Sequence, residues 1–227
     1  LGAGGGCHLT GLNSTSYPEV TLDGGIITGN TASRNNDGQG GAFFVGSYAI
    51  VTSSQDSTVN VNSNMATQSS DLNHGGFGGA FHITSNGILL FFKGTMASNS
   101  GNPNNPSASY GNAIRLDTNG EATIGCALGQ NGPNGSNGIH IIANTVLHLQ
   151  GDAYVPAENR IFFDNGGIIS CDSDLTTNNN TILLYLLGFT NGSPVITNII
   201  NSNPDKFVII NPQNYYIDNT GNLQNYP

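Results

Sequence analysis

Tryptophan is absent from this 227-residue chain, Lys and Arg together number 5, and only 8% of the residues are charged; about 25% is usual. The five cations, Arg34, Lys93, Arg115, Arg160 and Lys206, stand singly against 14 acids, for a formal charge of −9. Nucleic acid needs clustered Lys and Arg to neutralise its phosphates and is excluded as a partner. Anionic membrane surfaces are excluded with it. Long apolar runs are lacking too: the longest, Ile182–Leu187, falls far short of the ~20 residues of a membrane span. No insertion of this segment into a membrane is expected. Leu1-Gly-Ala-Gly-Gly-Gly-Cys7 lacks the basic start and apolar run of a secretory leader, so the expectation is a removed leader or a fragment. Three cysteines, Cys7, Cys126 and Cys171, match no zinc motif and no disulfide scaffold, and read as buried free thiols. No metal and no cofactor is expected.

What the chain does have is 32 Gly and 33 Asn, beside Leu, Ile, Val and Phe at about a quarter of its residues, enough apolar material to exceed the level at which disorder is the default. It also has a repeat. Gly40-Gly-Ala-Phe-Phe-Val45 recurs as Gly78-Gly-Ala-Phe-His-Ile83, Gly111-Asn-Ala-Ile-Arg-Leu116 and Ser136-Asn-Gly-Ile-His-Ile141, and Gly4-Gly-Gly-Cys-His-Leu9 fits the same template. A second unit, apolar-x-apolar, follows each first one: Gly25-Ile-Ile27, Val59-Asn-Val61, Leu90-Phe-Phe92, Ala122-Thr-Ile124 and Leu147-His-Leu149. Alternation makes each unit a short strand with its apolar residues on one face. Gly and β-branched residues disfavour helix, and no 3.6-residue period is present. Such strands bury their apolar face by stacking like on like at about 4.8 Å, which predicts an all-β parallel solenoid of about five or six coils. Asn30 and Asn64, at the turns, suit the left-handed backbone conformation and ladders between coils. The template covers residues 1–165; residues 166–227 are read as final irregular coils or a C-terminal cap. Gly4 already lies in a coil, so truncation from a longer chain, or an end that stacks on a partner, is expected there.

The alternation of Gly-Gly-Ala-Phe (40–43 and 78–81) with Ile-Thr-Gly-Asn (27–30) and Val-Asn-Ser-Asn (61–64) resembles the polymorphic outer membrane proteins of chlamydiae. Their passenger regions repeat a Gly-Gly-Ala-Ile and a Phe-x-x-Asn tetrapeptide. The resemblance covers roughly residues 1–165. It implies a right-handed parallel β-helix, the passenger of an autotransporter, acting as a surface adhesin outside the cell.

For chemistry, Asp172 with Asp174, and Asp117 with Glu121 across a turn, are the paired acids a glycan-active enzyme would need. Neither has a neighbouring Lys, and acids at turns are ordinarily solvated. The residues expected to point outward from successive first units are His8, Phe44, His82, Arg115 and His140; the Arg115 coil separates the last two histidines by too much for one zinc. Phe44, His82, Arg115 and His140, beside small Ala42, Ala80 and Ala113, form the expected contact face. The longest inserts supply the expected contact loops, at Arg34, Asp37, Asp71, His74, Asn102, Asn105 and Tyr110. The leading expectation is a non-enzymatic extracellular adhesin segment that attaches to a host-surface protein or glycan. A subunit that stacks end to end with identical copies into filaments comes second, and a β-helix polysaccharide lyase or hydrolase third.

Overall fold

A computed structural model describes residues 4–34, 38–68, 76–101, 111–133, 136–176, 181–199 and 204–226. Among them the one helical element is a 3-10 turn, Pro204–Lys206, and nearly everything else regular is parallel strand. The largest sheet stacks β1 (Cys7–Thr10), β5 (Phe43–Gly46), β9 (Phe81–Ile83), β12 (Ile114–Leu116), β14 (Ser136–Ile141), β16 (Asn159–Asp164), β18 (Ile182–Leu187) and β20 (Phe207–Asn211). A second stacks β2 (Glu19–Leu22), β6 (Ile50–Ser53), β10 (Ile88–Phe91), β13 (Glu121–Ile124), β15 (Val146–Leu149), β17 (Ile168–Cys171) and β19 (Ile196–Thr197). Among the described residues a third holds β3 (Gly25–Thr28), β7 (Val59–Asn62) and β11 (Gly94–Ala97), and a fourth β4 (Thr31–Arg34) and β8 (Met65–Gln68). Successive passes of the chain therefore lie one above another, an arrangement compatible with a β-solenoid.

The first sheet follows the repeat residue for residue, with Phe43 on Phe81, Phe81 on Ile114 and Ile114 on Ile139. All of these, with Val45, Ile83, Leu116 and Ile141, are buried. The repeat's glycines have a steric origin. Gly40 and Gly78 take φ of +64° and +63°, a region that costs other residues about 1–2 kcal/mol. The glycine after each has no room for a side chain, since a Cβ on Gly41 would lie 2.0 Å from the Gly79 carbonyl oxygen and one on Gly79 2.1 Å from that of Asn112. Ala42, Ala80 and Ala113 then fill the tight space behind the sheet.

Four expectations are corrected. The first sheet has eight strands rather than five or six, because β16 adds a strand that the repeat does not mark and β18 and β20 continue the sheet past residue 165. The second unit is two different strands: Gly25-Ile-Ile27 and Val59-Asn-Val61 belong to the third sheet, and the other copies to the second. Within Leu90-Phe-Phe92 the inward residue is Phe91, together with Leu89, because Ile88-Leu-Leu-Phe-Phe92 is apolar throughout and alternation carries no phase there. Last, the left-handed residues at the turns are Gly29, Ser63 and Ser98, each one position before an asparagine.

Those asparagines form a column. Asn30 donates to Asn64, Asn64 to Asn99 and Asn99 to Asn131, each through both its backbone and its side-chain nitrogen onto the next Oδ1, and Asn131 donates its backbone N–H to Asn159. Past β20 the chain turns back as an antiparallel hairpin, β21 (Tyr215–Ile217) and β22 (Leu223–Asn225). Its Gly221 carbonyl accepts from the Val195 and Ile196 amides, and Ile217 and Leu223 close over the core.

Candidate functional site

Register sets the outward residues of the first sheet in one row: His8, Phe44, His82, Arg115, His140, Phe162 and Tyr185. Rings touch along it, His8 to Phe44 at 4.7 Å, Phe44 to His82 at 5.3 Å and His140 to Phe162 at 4.8 Å, all edge-on, and Phe162 stacked on Tyr185 at 5.1 Å. Phe77 lies against the middle of the row, its ring edge-on to His82 at 5.6 Å and under the Arg115 guanidinium at 4.2 Å. Each such contact adds about 0.5–1.5 kcal/mol. The consequence for the expected contact face is direct. Phe44, His82, Arg115 and His140 do share one face, but His82 and His140 are only 3% and 1% exposed. Alternation gives the direction of a side chain and not what lies over it.

The row is also a charge network. Asp117, two residues beyond Arg115 and on its side of the strand, receives Arg115 Nε at 2.7 Å and His82 Nε2 at 2.8 Å on a single oxygen, Oδ2. Arg115 Nη1 donates to His140 Nδ1 at 3.1 Å, and His140 Nε2 faces Asp164 Oδ2 at 3.2 Å. These partners assign the Nε2–H tautomer to both imidazoles. Burial holds the pKa of His82 and of His140 below the ordinary histidine value, against the pull of Asp117 and Asp164. Burial pushes Asp117 up, but the hydrogen bonds from His82 and Arg115 outweigh it and hold this carboxyl well below the usual range. At neutral pH the network is one Arg–carboxylate pair flanked by neutral imidazoles, a brace across β9, β12, β14 and β16. His82 Nδ1 and Asp117 Oδ1 are buried without a hydrogen-bond partner among the described residues.

The outer face of the second sheet carries a smaller cluster, in which His148 contacts Asp172 at 2.8 Å through Nδ1 and Glu121 at 3.2 Å through Nε2. Asp117 and Glu121 thus serve different sheets and different histidines. Asp172 also accepts from Ser170 at 2.7 Å, and Asp172 and Asp174 are both exposed. Among the described residues no group of three His, Cys, Asp or Glu is arranged to hold a metal ion. The three cysteines are free thiols, and burial pushes Cys126 up to about 11 and Cys171 to about 12. At neutral pH neither provides a thiolate.

Of the expected contact loops, Arg34 ends β4, its backbone paired with Gln68 of β8. Asp37, Asp71, His74, Asn102, Asn105 and Tyr110 lie outside the described residues. Sequence reasoning missed Asp164, Phe162 and Phe77 as partners of the row. Phe162 was within reach, since Ile161 and Phe163 on either side of it alternate as the repeat does. Phe77 was not, because it precedes the strand template. No family model matches this chain, and no curated protein or solved structure is similar to it.

Proposed function

We propose that this chain is a right-handed parallel β-helix and a passenger segment of a cell-surface adhesin, acting outside the cell by attachment to a host-surface protein or glycan. One observation carries the reading: the scaffold is constant where the insertions at one corner are not. The asparagine column ties residues 30, 64, 99 and 131 at fixed register, and the first sheet ties the strands that follow them. Between those two fixed columns lie residues 31–39, 65–77, 100–110 and 132–135, segments of unequal length and sequence. A rigid frame that tolerates variation at one corner is the usual way to carry contact loops. Poverty in charge, with abundant Asn, Ser, Thr and Gly, supports an extracellular setting.

The test is adhesion of beads coated with the purified chain to cultured epithelial cells. Coated beads should bind above albumin-coated ones, and replacing 69–75 and 102–110 with short Gly-Ser links should abolish the excess while circular dichroism stays that of the parent. Binding no better than albumin would sink the reading.

A further inference from the structure

Where the strands of the second sheet end, the geometry points to a binding groove for a neutral linear oligosaccharide, lying along the stack and lined chiefly by Gln55, Phe92, Lys93, Gln150, Asp152 and Ser173. The groove has a volume of about 460 Å³. Its residues come from the ends of β6, β10, β13, β15 and β17, five consecutive strands, so it extends for about 19 Å at the usual strand spacing. Glycine keeps the floor low: a Cβ on Gly125 would stand 3.3 Å from the Phe92 backbone and 3.5 Å from Gln150 Nε2.

The lining selects the ligand. Phe91 points inward, so Phe92, next in the chain, turns out and offers a partly exposed ring to the apolar face of a pyranose. The carboxamides of Gln55 and Gln150 each present donors and an acceptor, and neither has a hydrogen-bond partner among the described residues. Sugar hydroxyls, which donate and accept at once, match that mixture. Lys93 and Asp152 place one charge of each sign in the groove, and the chain as a whole is at −9, so an acidic glycan is disfavoured. A peptide strand has nothing to pair with here, because β10, β13 and β15 are each paired on both sides and backbone recognition needs a free edge.

The site is separate from the corner segments of the adhesin reading and is tested separately. Cellotetraose, mannotetraose, tetra-N-acetylchitotetraose and, as the acidic comparison, tetragalacturonate are titrated into the full chain by calorimetry and into Gln150→Ala, Gln55→Ala and Phe92→Ala. Both glutamine side chains lack hydrogen bonds to the described residues, so their removal should leave the melting temperature unchanged. The expected result is that at least one neutral tetramer binds, and that Gln150→Ala and Phe92→Ala each weaken it about tenfold or more. Three results overturn the proposal: no binding of any neutral tetramer at millimolar concentration, binding that neither variant changes, or tighter binding of tetragalacturonate. Bead adhesion by Gln150→Ala separates the two readings: adhesion retained by a variant that has lost tetramer binding shows that attachment does not run through the groove, so either reading can fail while the other stands.

Discussion

Asn99, fully buried, accepts at Oδ1 from both nitrogens of Asn64 and donates through Nδ2 to the Val61 carbonyl at 2.8 Å and to Asn131 Oδ1 at 2.9 Å. Replacing it by alanine orphans the Asn64 amide and the Val61 carbonyl inside the stack, at about 1–3 kcal/mol for each group. Asn99→Ala should therefore lose about 2–5 kcal/mol, read as a lower urea midpoint. The buried histidines act on pH. His82 and His140 have folded pKa values below their unfolded ones, so the unfolded chain binds protons that the folded chain refuses. Their stabilisation is complete above the unfolded value of about 6.5 and is lost as pH falls through it. Asp117, also depressed, adds a second loss below about pH 4. The melting temperature should fall between pH 8 and pH 5, and the double variant His82→Gln, His140→Gln should flatten that part of the curve; an unchanged slope would refute the assignment.

The strand is the scale at which the sequence was most legible, and the reason is steric. The Gly-Gly-Ala-Phe template records a left-handed glycine, a glycine with no room for Cβ and a buried alanine, so it marks the largest sheet wherever all three demands hold. Gly79→Ala tests the second demand: its Cβ would stand 2.1 Å from the Asn112 oxygen and 2.5 Å from the Ser100 backbone, all of it main chain that cannot step aside. A loss of about 3 kcal/mol is expected by thermal unfolding, whereas a neutral result would mean that the passes can separate. The fourth copy explains its own departure. Asn112 replaces the second glycine where Gly132 occupies the next pass, and a Cβ on Gly132 would lie 2.4 Å from the Asn112 amide nitrogen, so the two positions exchange bulk. Strands β16, β18 and β20 were not legible because they keep the register without the glycines. The covering of His82 and His140 was not legible either, since it depends on Phe77 and on acids brought in from other passes.

At the scale of the molecule, every pass is bonded mainly to the pass before and the pass after, so stability is a sum of neighbour terms rather than the property of one centre. The eight strands of the first sheet rise about 34 Å at the usual spacing, and the hairpin of β21 and β22 closes one end of that column. Among the described residues the third sheet runs from β3 to β11 and the fourth from β4 to β8, and the matched residues Phe81, Ile114, Ile139, Ile161, Leu184 and Ile209 mark passes of 33, then 25, 22, 23 and 25 residues. The early passes thus share strands of four sheets, and the asparagine column crosses those same passes from Asn30 to Asn131. Bolted together in this way, those passes keep whatever their corners carry in fixed relative position, so that two corners meet a surface together or not at all.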